Sequence, residues 1–296
     1  MSKCIVHIGM HKTGSTSIQR SLYAHLPDQR FRYISIKGSN QSMPLMALFG
    51  RSSESSRGPG GRLLAAYSRN FELALRNCKN RIGIISGEAI STLPASGLRQ
   101  MHEQLSRHFR TIEAVAYIRS PKAYLESAFQ QRVKAGFKHF KLDVVWPRYR
   151  HRFEKFDTLF QRDHVSLWKF DPPSFVGRDV VLDYCHRLGI DFPPDGSIRV
   201  NESLSSSAVK LLHTYFKYRS EPDSASAPAG ADAALTRKLM TLPGPKFHLS
   251  SELIAPLMQR HESDIRWMEE RLGATLDEGK CSINRILVEM QPISEA

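Results

Sequence analysis

The stretch HIGMHKTGSTSIQ, residues 7–19, holds the residue types that grip a phosphate-like anion: glycines, hydroxyls and one lysine in a short span. Gly9 and Gly14 have the spacing of a nucleoside-triphosphate loop, G-x-x-x-x-G-K-[ST], whose lysine follows the second glycine and reaches the β- and γ-phosphates. Here Ser15 and Thr16 follow Gly14, and the lysine stands earlier, at Lys12. The apolar run before Gly9 reads as a strand, and a helix is expected from about Ser15. Strand, glycine turn and helix N-terminus together make an anion site, because the first helical N–H groups are unpaired and carry partial positive charge. Gly14 lets the backbone approach the anion, and Thr13, Ser15 and Thr16 add hydroxyl donors. The alternative is a plain strand-to-helix turn with an N-capping serine; Lys12 and the hydroxyl cluster favour the anion.

A second cation has a matching context. The apolar strand at 112–118 ends at Arg119, followed by Ser120 as N-cap, Pro121 at the first helical position and Ser127 two turns further. In a parallel sheet the C-terminal ends of the strands share one edge, so Arg119 is expected on the same rim as the Gly9 loop. An arginine there can take a second phosphate bidentately, with Ser127 as an added donor. The pair implies a ligand with two separated anionic groups.

The elements that must position these residues read as an α/β chain: β-rich runs at 4–8, 32–36, 82–86, 112–118 and 165–170 alternate with helix-period segments at 15–25, 63–78, 96–109, 121–135 and 144–160. This predicts one domain over residues 1–296, a mostly parallel central sheet flanked by helices, with a helical C-terminal third. Residues 251–272 are expected to form one long amphipathic helix closed by Gly273. Two Gly/Ser/Pro/Ala-rich stretches, near 50–62 and 219–234, read as mobile surface loops.

Composition bounds the partners. No apolar run approaches the roughly 18 residues needed to span a bilayer, and no cleavage pattern follows the N-terminal Met-Ser-Lys, so a cytoplasmic protein is expected. Cys4, Cys78, Cys185 and Cys281 stand singly, which suggests neither a disulfide framework nor a metal site. The net charge of +13 favours anionic partners, and residues 132–155 carry eight Lys/Arg against Asp143 and Glu154. That segment interleaves its cations with Phe137, Phe140, Trp146, Tyr149 and Phe153. Such a surface suits an anionic sugar chain or a phospholipid headgroup, and an RNA-binding surface would show the same pattern; an amphipathic helix with a solvated basic face is the plain alternative.

HKTGSTSIQ resembles the 5′-phosphosulfate loop, and AYIRSPKAYLESAF the 3′-phosphate motif, of sulfotransferases that use 3′-phosphoadenosine-5′-phosphosulfate (PAPS). The resemblance is nearest to bacterial and carbohydrate-type members. It extends more weakly through GIISGEAI, VSLWKFD and RVNESLSSSAVKLL over about 200 residues. It implies the P-loop-like sulfotransferase fold, PAPS as donor with adenosine 3′,5′-bisphosphate as product, and transfer without a metal. The donor would then be held by His11, Lys12, Thr13, Gly14, Ser15, Thr16, Arg119 and Ser127, and Lys12 would stabilise charge on the leaving oxygen. Glu88, just past the strand at 82–86, resembles the catalytic glutamate of some carbohydrate members, with His11, His102 and His139 as substitutes for the base. The acceptor would be a hydroxyl, on a carbohydrate or glycolipid, anionic acceptors included. No nucleic-acid partner is implied, and peripheral membrane contact is compatible with the charge. Two other readings stay open: a P-loop kinase or NTPase with a degenerate loop, and a basic nucleic-acid-binding module.

Overall fold

The computed structural model describes residues 2–50, 59–137, 141–200, 204–218 and 231–276. Its elements in chain order are β1 (Lys3–His7), α1 (Ser15–Ala24), β2 (Phe31–Tyr33), α2 (Ser42–Phe49), α3 (Pro59–Arg76), β3 (Ile82–Ser86), α4 (Ala95–Ser106), β4 (Thr111–Ile118), α5 (Pro121–Lys134), α6 (Tyr149–Phe160), β5 (Val165–Lys169), α7 (Val180–Leu188), α8 (Ser206–Tyr218), α9 (Ala231–Met240), α10 (Ser251–Arg260) and α11 (Glu262–Leu272).

The five strands form one all-parallel sheet in the order β2-β3-β1-β4-β5. The central strands carry apolar runs, at 4–6, 82–85 and 114–118, because both their faces are covered. Ile5, Ile84, Val115 and Tyr117 pack under α1 and α7 through Ile18, Leu22, Val181 and Tyr184. Val6, Ile85, Ala114 and Ala116 face the other layer, where Leu45, Phe71, Leu98, Phe153 and Met268 come from α2, α3, α4, α6 and α11. A third cluster joins α5 to α8 and α10 through Leu125, Val133, Ala208, Leu212 and Ile254. From β1 the chain crosses toward β3 and β2, whereas from β4 it crosses toward β5. The strand order therefore reverses between β1 and β4, and the crevice beyond their C-terminal ends is where ligands bind in such sheets.

The alternation of strands and helices anticipated this architecture, with local differences. The helix expected over 144–160 begins only at Tyr149: Leu142–Val145 is a 3₁₀ turn and Arg148 takes a left-handed φ of 52°. The first amides of α6 are instead capped from a distance. Asp264 accepts from Tyr149 N (2.9 Å), Arg150 N (2.8 Å) and Trp146 Nε1 (2.9 Å). The helix expected over 251–272 is two helices broken at His261, whose ring stacks on Trp146 at 4.4 Å and meets Asp143 at 2.8 Å. Of the two stretches read as loops, residues 51–58 and 219–230 lie outside the described residues. Their flanks are helical: 59–62 opens α3 and 231–234 opens α9. No described helix is long and apolar enough to cross a membrane.

Candidate active site

β1 stays paired with β4 up to Ile8, whose N–H meets Val115 O at 3.0 Å, and the chain then turns sharply. Gly9 (φ 50°), Lys12 (φ 73°) and Gly14 (φ 74°) are all left-handed, so the loop from 9 to 14 is a tight concave turn. A Cβ on Gly9 would stand 3.0 Å from Glu88 Cα and 3.1 Å from Ser15 Oγ, and one on Gly14 would stand 2.8 Å from Val180 Cγ1. Both glycines are thus required by conformation and by close packing. Lys12 has no such licence. A left-handed lysine costs about 1–3 kcal/mol, a strain typical of ligand-gripping loops.

The loop is braced from within. Thr13 Oγ1 donates to Met10 O at 2.6 Å, and Ser15 Oγ reaches the same carbonyl at 3.5 Å. Of the three hydroxyls expected to face the anion, Thr13 and Ser15 are buried and bonded inward, while half-buried Thr16 makes no hydrogen bond among the described residues. The amides from Lys12 to Thr16 have no acceptor among the described residues, and Gly14 brings no side-chain cap to α1. A row of unpaired N–H groups at a helix start, beside a cation, fits a phosphate or phosphosulfate group.

The structure brings the second cation to this loop. Arg119 leaves β4, and its Nη1 donates to Lys12 O at 2.5 Å, while its guanidinium lies 5.4 Å over the Phe170 ring. Tyr149 of α6 donates to Arg119 O at 2.6 Å. Ser127, two turns into α5, is half-buried and makes no hydrogen bond among the described residues.

Glu88 arrives from the other side of β1. It opens the 3₁₀ turn Glu88–Thr92 directly after β3, and Gly87 N donates to His7 O at 3.1 Å. The N-terminus of α2 supports the turn: Ser42 Oγ accepts from Ala89 N at 3.1 Å, and Gln41 N donates to Ser86 O at 3.0 Å. Burial pushes the Glu88 carboxyl above its ordinary range, with Lys12 opposing the shift. Burial also lowers the Lys12 ammonium to about 8, helped by Lys134 and Arg119 and opposed by Glu88. A desolvated acid and a desolvated lysine that feel one another, in the crevice beside an arginine, form a reactive constellation.

Two cations of this constellation were not singled out in the sequence. Lys134, at the end of α5, is sensed by Lys12. Arg152, on α6, acts on His11, whose imidazole is lowered to about 4 by burial, then by Arg152 and Lys12. Arg152 Nη1 and His11 Nδ1 are both buried without a hydrogen-bond partner among the described residues. The signal was the basic run 132–155. Its aromatic half reads differently in three dimensions: Trp146, Tyr149 and Phe153 are core, not surface, and Phe140 lies outside the described residues. Among the substitute bases, His11 is at the loop, His102 packs edge-on against Phe160 at 4.8 Å, and His139 lies outside the described residues.

No family model matches the chain. An uncharacterized protein of Archaeoglobus fulgidus is 28% identical over 133 residues, which are 44% of this chain and 36% of that protein; the chain thus matches about a third of that relative's length. Among solved structures, a sulfotransferase from Alicyclobacillus acidocaldarius superposes with a TM-score of 0.43 at 17% identity, over 81% of this chain and 96% of that one. The sulfotransferase domain from the curacin biosynthetic pathway gives 0.38 at 14% identity, over 86% and 96%. Both superpositions are loose.

Proposed function

We propose that this chain transfers a sulfuryl group from 3′-phosphoadenosine-5′-phosphosulfate to an acceptor hydroxyl on a carbohydrate or glycolipid, without a metal. The observation that carries the reading is the position of Lys12: ahead of Gly14, in a strained left-handed turn, with Arg119 bound to its carbonyl and Glu88 close enough to oppose the fall in its pKa. The donor supplies a sulfuryl group on a 5′-phosphate leaving group and a separate 3′-phosphate.

The unpaired amides from Lys12 to Thr16 hold the 5′ end, and Arg119 with Ser127 takes the 3′-phosphate. Lys12 meets the charge that develops on the departing oxygen; preorganised charge of this kind is commonly the largest catalytic contribution. Glu88 receives the hydroxyl proton as the acceptor oxygen bonds to sulfur. Its raised pKa makes it a better base than an exposed carboxylate, and Lys12 opposes that rise and favours the ionised form.

A P-loop NTPase predicts a different ligand preference. With chelator present, calorimetry should show adenosine 3′,5′-bisphosphate binding far more tightly than ATP or ADP, since a 5′-nucleotide fills one anion site of two. ATP binding equal to that of the bisphosphate, or binding of either only with Mg²⁺, defeats the proposal.

A further inference from the structure

A hollow of about 570 Å³ lies between α4 and α6, within the size range of small-ligand sites. Arg99 of α4 and Arg150, His151 and Lys155 of α6 stand around it, with Glu154 as the single carboxylate. Positions 150, 151, 154 and 155 fall on one side of α6 because residues three and four apart are neighbours on a helix. Arg150 holds Glu154 at 2.9 Å. Arg99 and His151 are exposed and make no hydrogen bond or ion pair among the described residues, so two of the basic side chains are uncommitted.

The hollow adjoins the transfer site. Lys155 Nζ donates to Leu93 O at 2.6 Å, and Leu93 closes the turn that Glu88 opens. Arg152 couples the two regions electrostatically, since its charge acts both on His11 of the loop and on Lys155, which burial and Arg152 lower to about 8. A second hollow of about 510 Å³ shares Arg150, His151 and Glu154 and extends the basic track to Arg148. Basic side chains therefore stand at the loop, at Arg152 and around both hollows.

We infer that the α4–α6 hollow is the acceptor subsite and takes an acidic saccharide, a hydroxyl-bearing sugar chain that already carries carboxylate or sulfate groups. The acceptor role rests on the transfer reading above; the binding chemistry rests on the hollow itself. A lining of four basic side chains against one carboxylate, with Arg99 uncommitted, selects an anionic partner. Single-stranded nucleic acid would additionally need exposed aromatic faces for its bases. The first hollow has no Phe, Tyr or Trp in its lining, and in the second the one such ring, Trp146, is buried with a face covered by His261.

The test uses the full chain and a double variant, Arg99→Glu with His151→Glu, both surface changes. Fluorescence anisotropy follows a labelled hexasaccharide containing sulfate and uronic acid, competed by unlabelled maltohexaose and by an oligothymidylate of the same length. Calorimetry follows adenosine 3′,5′-bisphosphate in parallel. The acidic hexasaccharide should bind wild type, maltohexaose should not displace it, and the double variant should bind it at least about tenfold more weakly, because like charges now face the ligand. Bisphosphate affinity should stay within about twofold, as expected for separate sites. Undiminished saccharide binding by the double variant overturns the inference. So does oligothymidylate that displaces the saccharide and is itself lost in the variant, which makes the hollow a nucleic-acid surface. A wild-type protein that takes the acidic saccharide but not the bisphosphate sinks the transfer reading and upholds the saccharide site; the reverse pattern sinks the saccharide site alone.

Discussion

Lys12 and Glu88 each act in the protonation state that the other favours, and this gives the pair a joint pH signature. Lys12 works as a cation, and burial lowers it to about 8, so its contribution is lost as pH rises through that value. Glu88 works as an anion with a raised pKa, so its contribution is lost as pH falls toward the upper carboxylate range. The kcat/KM profile for the donor, which reports the free enzyme, should be bell-shaped with an alkaline limb near pH 8. Lys12→Arg should remove that limb, because a guanidinium does not deprotonate there; a limb that persists assigns it to another group. Glu88→Gln keeps size and polarity but accepts no proton, so turnover should fall about 10²–10⁴-fold while bisphosphate affinity holds. Loss of nucleotide binding in that variant would make Glu88 an electrostatic partner of Lys12 and not a base. Arg119→Ala should instead act on binding, weakening the bisphosphate by about 1.5–3 kcal/mol through loss of a charged hydrogen-bonding partner. Calorimetry that finds the affinity unchanged removes Arg119 from the site.

The elements that aim these residues are held by contacts across long sequence distances, and α6 shows it best. Arg148 is left-handed and provides no cap, so the start of α6 depends on the Asp264 carboxylate, which takes two of its amides and the Trp146 indole. Asp264→Ala should cost about 2 kcal/mol in urea unfolding, at the upper end for a helix cap, since it leaves three donors without their acceptor. A loss below about 0.5 kcal/mol would mean that water replaces the carboxylate and that α6 is fixed by its buried aromatics alone. The same dependence explains what the sequence could and could not convey. The Gly9 loop, Arg119 and Glu88 were legible because strand ends, turn glycines and a Ser-Pro helix start are local signals. The start of α6 was not, since Tyr149 and its cap are 115 residues apart. Neither was the convergence of Lys134 and Arg152 on the loop, which depends on how α5 and α6 are turned in the fold. The sequence reading does not anticipate α2 and α7. The first, SMPLMALF, is short and almost wholly apolar, without a helical period. The second, VVLDYCHRL, opens on a strand-like triplet, although Asp179 at its start and Gly189 at its end are readable caps.

At the scale of the whole molecule, a chain with a net charge of +13 gains more charge as pH falls, and its twelve histidines decide how stability responds first. An exposed histidine titrates alike in the folded and unfolded chain and leaves stability unchanged to first order. His7 differs. It is the last residue of β1 and fully buried, its Nδ1 is 2.8 Å from Ser86 Oγ, its ring lies 5.1 Å from Tyr184, and burial lowers its pKa to about 4. The unfolded chain, with His7 near 6.5, therefore binds more protons below that pH than the folded one. The neutral ring's stability is fully present above pH 6.5 and is lost as pH falls toward 4. Linkage puts the His7 share at about 2 kcal/mol between pH 7 and 5. The carboxylates of Asp28, held low chiefly by Arg30, and of Asp179, where burial is outweighed by bonds from Ser197, Arg199 and the Val181 and Leu182 amides together, do not titrate in that window. His7→Gln keeps a hydrogen-bonding group toward Ser86 and takes up no proton. Urea unfolding without nucleotide should show wild type losing stability from pH 7 to 5, and the variant losing about 2 kcal/mol less over the same interval, whatever its stability at pH 7. Groups common to both proteins, such as His11 and Glu88, cancel from that difference. Equal losses in the two proteins would mean that His7 takes up its proton alike in the folded and unfolded chain, and that burial does not hold the ring neutral.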